Sequence, residues 1–395
     1  MLVTDGEQRA ALAVVRSLGA AGYRCIVTHR GESSLAGRSR HAALARRVPD
    51  ALREPAGFAD AIATLVAREK VALVLPIAEP AMLALLARRE RLAPAVIPFP
   101  DISVFRALCD KERLLAEGAS LGIATPAQVV VRDRAAGEQL DMQALGYPIV
   151  LKPARSVGED SSGRVKLTVR YALDASALRD ALAELPAAAY PLLLQQRIVG
   201  PGTGIFLMLW NGRVRAAFAH RRRCEKPPSG GVSVYRESIA LDEHLLDRSR
   251  ALLERFDWHG VAMIEFKRDE RTGQPYLMEV NGRFWGSLQL AIDAGVDFPR
   301  LLADAALQRG SCASTAPAYR VGVRSRWLWG QVDHLIGRIP SRARGPVPPD
   351  TISVARAIGD IVLGPFRSRD YEEVLRWNDM APFVEETLRW VRARA

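Results

Sequence analysis

Two carboxylates placed to face one another constrain this 395-residue chain more than any other feature. Glu265 sits in one predicted strand, and Glu279 and Asn281 in the next. The stretch Arg268-Asp269-Glu270-Arg271-Thr272-Gly273-Gln274 joins them. In an antiparallel hairpin centred near Thr272, Glu265 faces Glu279, and Asn281 lies two residues on, on the same face. Opposed carboxylates repel, so the arrangement is costly without a cation between them, and hard oxygen ligands around a phosphate site suit Mg²⁺. The competing reading is a solvated hairpin face, because Tyr276, Met278 and Val280 would pack inward and leave Glu279 and Asn281 in water. What separates the two is whether the other parts of a phosphate site stand upstream.

With 49% hydrophobic and 25% charged residues the chain can bury ordinary globular cores, and its length suggests two or three domains. No apolar run approaches the roughly 20 residues that cross a bilayer. The start Met1-Leu2-Val3-Thr4-Asp5 lacks the basic flank of a secretory signal, so a cytoplasmic protein is expected. Cys25, Cys109, Cys224 and Cys312 are too scattered for a zinc site and read as reduced thiols. The formal charge of +11 comes from arginine-rich stretches and fits nucleic acid, a membrane surface or anionic small molecules equally. Neither a His-Glu-x-x-His run nor a Gly-x-Ser-x-Gly elbow is present, which gives a hydrolase little support.

Residues 1–103 alternate short apolar runs (25–27, 72–76) with amphipathic helices (10–18, 58–67), the rhythm of a small parallel sheet with covering helices. A Gly-x-Gly-x-x-Gly fingerprint is missing. A helix is expected from 104 to 121, stopped by Gly122, with Lys111 inside it. Tyr147-Pro148-Ile149-Val150-Leu151-Lys152-Pro153 reads as a buried strand ending in a lysine. The small and polar residues 154–163 after it suit a mobile loop over phosphates, or a plain hairpin turn. A strand at 191–198 follows, then a hairpin turning at Asn211-Gly212, with helices at 171–185 and 244–256. Mixed strands with flanking helices make this an α+β region. After 309, arginines interleave with Trp327 and Trp329, and 340–349 reads as a linker. Such a stretch either packs its tryptophans on the body or lies on a membrane or anionic polymer.

The order of Lys111, Ile123-Ala124-Thr125-Pro126, Lys152, the small-residue loop, Gln195-Gln196-Arg197-Ile198 and Met278-Glu279-Val280-Asn281-Gly282-Arg283 resembles the ATP-grasp superfamily. The resemblance is to its carbamoyl-phosphate-synthase-like and biotin-carboxylase-like carboxylate–amine ligases, and it is best over about 104–310. It implies an ATP-grasp fold of α/β and α+β class, with an N-terminal Rossmann-like (pre-ATP-grasp) parallel-sheet domain at 1–103. The ATP-grasp domain would span 104–310 with a lid at about 124–198, and a basic helical extension would follow at 311–395. It further implies that Lys111 and Lys152, with Ser156 and Gly158 of the loop, bind nucleotide phosphates. Gln195, Gln196, Arg197 and Ile198 would meet adenine, largely through backbone. Glu265, Glu279 and Asn281 would hold magnesium, two ions for which manganese can substitute, and Arg283 would stabilise the transferring phosphoryl group. Where such enzymes often carry an acidic residue in the adenine strand, this chain has Gln196 and Arg197.

Between these segments the charge run 220–226 leads into Gly230-Gly231, where substrates of such folds gather. Arg221, Arg223, Lys226 and Arg236 are the candidates for substrate contact or catalysis there, while His220 and Trp285 read as structural. The implied reaction joins a small-molecule carboxylate to an amine at the expense of ATP, with no nucleic-acid partner and a homodimer as the commonest assembly. The rivals are transfer to bicarbonate, although no biotin-carrier or glutaminase segment is visible, and a non-enzymatic module binding anionic polymers.

Overall fold

The computed structural model describes residues 1–138, 145–160, 163–228, 230–309, 317–339, 353–364 and 367–394. Ser161, Ser162, Ser229, Cys312, Arg342, Arg344 and the expected linker 340–349 lie outside the described residues.

The first region runs β1 (Leu2–Val3), α1 (Arg9–Ala20), β2 (Cys25–His29), β3 (Ala42–Arg47), α2 (Pro55–Glu69), β4 (Val74–Leu75) and α3 (Glu79–Leu86). Its strands form a parallel sheet in the order β3-β2-β1-β4. Leu2, Val3, Cys25, Ile26, Val27, Val74 and Leu75 are all buried, as expected where helices cover both faces of a parallel sheet. The strand–helix rhythm read from sequence is present. β1 is too short to show a period, and the edge strand β3 ends in two arginines.

The single helix expected over 104–121 is two, α4 (Ile102–Cys109) and α5 (Lys111–Ser120). Asp110 separates them in an extended conformation, and its side chain accepts from Arg113 N to cap α5. Lys111 therefore opens a helix, and its backbone N–H donates to Ala154 O at 2.9 Å.

β5 (Gln128–Val131), α6 (Arg134–Glu138), β6 (Ile149–Pro153), β7 (Val157–Asp160), β8 (Gly163–Lys166), β9 (Arg170–Ala172), α7 (Ala175–Glu184) and β10 (Leu192–Gln196) come next. Four of these strands make an antiparallel sheet ordered β5-β10-β6-β9. Val131, Ile149, Leu151, Leu178, Leu182, Leu192 and Leu194 give this region its own small core. The small-residue loop is the β7–β8 hairpin. The helix expected over 171–185 starts only at Ala175, because Tyr171 belongs to β9 and Asp174 caps α7.

The last region is built on a seven-stranded sheet. Its elements are β11 (Gly202–Trp210), β12 (Arg213–Lys226), β13 (Val232–Ser238), α8 (Glu243–Arg255), β14 (Gly260–Arg268), β15 (Pro275–Asn281), α9 (Leu288–Ala294), α10 (Phe298–Ala306), β16 (Arg324–Arg326), α11 (Leu328–Ile336), α12 (Val354–Leu363), β17 (Asp370–Glu372) and α13 (Ala381–Arg392). The order is β15-β14-β11-β12-β13-β16-β17. Asn211 and Gly212 turn the β11–β12 hairpin with φ of 52° and 68°, the left-handed pair that a two-residue turn requires.

The segment after 311 is thus not a purely helical extension. β16 and β17 extend the large sheet, and Trp327 packs against Cys224, Val234 and Tyr235 of that sheet, whereas Trp329 packs within the C-terminal segment. Trp329 stacks on Trp390 with ring centroids 4.2 Å apart, and Trp327 Nε1 donates to Glu386 at 2.8 Å. Among the described residues no helix is long and apolar enough to cross a membrane.

Gly200, between β10 and β11, packs on the turn of the β14–β15 hairpin. Its φ is +143°, and a Cβ there would sit 1.9 Å from Arg268 O. Gly200→Ala is expected to destabilise the protein by about 3 kcal/mol, through backbone strain and overlap together. Urea denaturation followed by circular dichroism checks this, and an unchanged midpoint would contradict the packing described.

Candidate active site

β14 and β15 pair antiparallel with Glu265 directly opposite Glu279. The register near the turn, where Arg268 pairs with Pro275 and Phe266 with Leu277, would by itself set Met278 against Glu265. A bulge at this point skips Met278 and brings Glu279 into the opposing position. The displaced Met278 meets Lys152 of β6, Sδ to Nζ 3.6 Å. Asn281 Nδ2 donates to Glu279 Oε1 at 3.0 Å, and Arg283 donates to Asn281 Oδ1 at 2.8 Å.

Cations from three other elements surround the pair. Lys111, at the start of α5, places Nζ 3.7 Å from Glu279 Oε2 and donates to Ser156 Oγ at 3.2 Å. Lys152 reaches in from β6. Arg222 of β12 forms ion pairs with Glu265 and, at 2.8 Å, with Glu225. Gly202 makes room for Arg222, since a Cβ there would lie 2.8 Å from Arg222 Cδ.

The electrostatics follow from this crowding. Burial pushes the Glu279 carboxyl up, but Lys111, Lys152 and the hydrogen bond from Asn281 outweigh it and hold the group well below its ordinary range. Burial pushes Glu265 up; Arg222 opposes this, and Glu279 adds to it. Lys152 is driven down to about 8, mainly by burial, although Glu279 works against that.

Glu79, the first residue of α3, was not singled out from sequence. Burial raises its pKa while Arg283 and Lys111 pull it down, so it faces the same cluster from the N-terminal region. The available signal was its place just beyond the carboxyl end of the parallel strand β4, where open α/β sheets bind ligands. Arg222 was likewise passed over in favour of its neighbours.

The other expected residues are dispersed. Gln195 is buried, with Nε2 donating to Gln128 Oε1 at 2.7 Å. At the end of β10, Gln196 is exposed, Arg197 half-buried and Ile198 buried. Gly158 lies in β7, where a Cβ would come 2.6 Å from Ala188 O, so close packing accounts for the glycine. Arg221 and Arg223 both hold Glu237, at 2.8 and 2.9 Å. Lys226 is ion-paired with Asp333 of α11, and the fully buried Arg236 with Glu373. The C-terminal segment thus engages both of these cations, away from the opposed carboxylates. His220 is buried with neither ring nitrogen hydrogen-bonded, and Trp285 packs 4.5 Å from Phe206, both within the core.

Residues 188–329 match the family described as ATP-grasp in the biosynthetic pathway with Ter operon. No match is found among curated protein sequences. Among solved structures the chain is similar to L-amino acid ligase from Bacillus licheniformis, at 17% identity and TM-score 0.60 over 77% of this chain and 73% of that one. It is similar to the biotin carboxylase domain of 2-oxoglutarate carboxylase from Hydrogenobacter thermophilus in complex with MgADP and bicarbonate. There the identity is 16% and the TM-score 0.61, over 82% of this chain and 73% of that one. N5-carboxyaminoimidazole synthetase from Staphylococcus aureus aligns at 13% identity and TM-score 0.58, over 78% and 77%. The chain has the ATP-grasp fold.

In an ATP-grasp fold the donor set at the hairpin fits a hard divalent ion. Among the described residues no group of three or more His, Cys, Asp or Glu forms a closed metal cage. Two carboxylates and one amide leave coordination positions for phosphate oxygens and water, as Mg²⁺ prefers.

Burial holds Lys152 near 8, so a nucleotide phosphate bound beside it, the role that the family resemblance implies, would raise its pKa. Nucleotide binding near pH 8 is then expected to take up a proton, and affinity to fall as pH rises past that value. Calorimetry in two buffers of different ionisation enthalpy measures the uptake. Lys152→Arg, charged throughout, should abolish it.

Proposed function

We propose that this chain is an ATP-dependent ligase that joins a carboxylate to an amine, releasing ADP and phosphate. The observation that carries the reading is the opposed pair Glu265 and Glu279, ringed by Lys111, Lys152, Arg222 and Arg283. Two acidic side chains among four cations suit a site that exchanges protein contacts for phosphates and a divalent ion, and the ATP-grasp fold supports that use.

In this reading Glu265, Glu279 and Asn281 hold Mg²⁺, two ions with Mn²⁺ able to substitute, which neutralise charge on the terminal phosphates. Lys111 and Lys152 bind phosphate oxygens, and the end of β10 from Gln195 to Ile198 meets the adenine. A substrate carboxylate oxygen attacks the γ-phosphorus, the bond to the bridging oxygen breaks and ADP leaves. The amine nitrogen then attacks the acyl carbon and loses a proton while phosphate departs. Charge spread over the transferring group is balanced by Arg283 and the lysines without a protein nucleophile. The β5-β10-β6-β9 layer, with its own core, acts as the cover that keeps water from the acyl phosphate. Basic side chains around the site favour anionic substrates.

The reading is tested by incubating the protein with Mg·ATP, hydroxylamine and a panel of carboxylates. One carboxylate should yield a hydroxamate together with ADP. Glu279→Ala should lower the rate about 1,000-fold while circular dichroism shows that the fold is kept at the assay temperature. Release of ADP driven by bicarbonate alone would replace the amide reading with a carboxylase-type one, and a fully active Glu279→Ala would remove both.

A further inference from the structure

The far face of the large sheet carries a charge arrangement that the carboxylate site leaves unused. Along β12, Arg222 turns toward Glu265, whereas Arg221 and Arg223 turn the other way onto Glu237 of β13. Glu237 also accepts from Arg324 of β16 at 3.1 Å. α12 covers this face with Ala357 and Asp360, and Asp360 holds Arg367 at 2.6 Å. Between helix and sheet lies a cavity of about 400 Å³ lined by Arg223, Arg324, Arg356, Gly359, Asp360 and Arg367.

The charges here do not cancel. Glu237, Asp360 and Asp370 are the carboxylates that pair with the lining arginines, against Arg223, Arg324, Arg356 and Arg367. Four guanidinium groups against three carboxylates leave one positive charge around the concavity. The Arg356 side chain is exposed and has no ion pair or side-chain hydrogen bond among the described residues. Arg223 Nε is buried without a partner. Planar guanidinium groups lining one concavity with a net positive charge, among them Arg356 with both terminal nitrogens uncommitted, suit a phosphate oxyanion.

We propose that this cavity binds a phosphate group, separate from the nucleotide site and on the opposite face of the sheet. Its volume exceeds one phosphate and accommodates a pyrophosphate or a phosphorylated small molecule. A lipid headgroup presents the same chemistry, and α12 leaves Val354, Ile358, Val362 and Leu363 exposed near Arg356.

The test is calorimetric titration of sodium pyrophosphate into full-length protein carrying Lys152→Met, which disables the nucleotide site. Binding is expected there. It should weaken about tenfold when Arg356→Gln is added, a change that breaks no ion pair. Gly359→Leu should block it as well, because the space above Gly359 is open and a side chain would enter the cavity. A parallel arm measures co-sedimentation with phosphatidylcholine vesicles with and without phosphatidic acid. Vesicle binding that needs phosphatidic acid, and is lost in the same two variants, would assign the phosphate to a lipid. Pyrophosphate binding with the same losses would assign it to a free molecule. Failure of both probes, or binding that neither Arg356→Gln nor Gly359→Leu diminishes, overturns the site.

Discussion

Like charges forced into register at Glu265 and Glu279 set the terms for the rest of this molecule. Two carboxylates about 5 Å apart at an effective dielectric near 20 repel by roughly 3 kcal/mol, comparable to the loss of a large core side chain. No hairpin would hold that pairing for its own sake. Here Arg222 balances Glu265, and Lys111 and Lys152 balance Glu279, from β12, α5 and β6 respectively. Large sheet, helix and covering layer are thereby tied together at one point. On the ligase reading the same cations meet the phosphates, so they stand in place before ligand arrives and need little rearrangement when it does.

A second set of charges fastens the C-terminal segment. Arg236 lies fully buried against Glu373, which also pairs with Arg9 of α1 at 2.6 Å. Arg16 reaches Asp379 at 2.8 Å and donates to Val374 O. Buried pairs of this kind add little net stability, but an unmatched member costs several kcal/mol, so they act as registration devices. They hold β16 and β17 at the edge of the sheet and the N-terminal helix against both. Lys226 and Arg236 are fixed by this docking.

What the sequence disclosed is instructive in detail. The carboxylate pairing was legible because a hairpin centred near Thr272 sets Glu265 against Glu279, although the bulge that produces it was invisible: Met278 carries no sign that it will be skipped. The division at Asp110 was hidden because Asp110 falls inside an unbroken helical period, and only its capping geometry stops the first helix. β16 and β17 were missed because three-residue strands have no measurable period and owe their existence to the neighbours they extend. The direction of the 221–223 arginines could not be read, since a charge run looks alike on either face until its partner strand fixes the register.

That register has consequences beyond one residue. β12 is fourteen residues long, and its basic stretch alternates between faces. A single step along the chain separates Arg222, committed to the carboxylates, from Arg221 and Arg223, committed to Glu237 and the region under α12. A second bulge between Arg222 and Cys224 adds Cys224 to the Arg223 side and lets the strand continue to Lys226 on the C-terminal segment. One strand therefore supplies positive charge to three places that share no ligand. A slip of one residue would put Arg221 or Arg223 in the place of Arg222 and keep a guanidinium at Glu265, but it would carry Phe218 away from Phe206 and Tyr319. The register of β12 is therefore selected by its aromatic packing, and the run of three arginines then supplies charge to both faces.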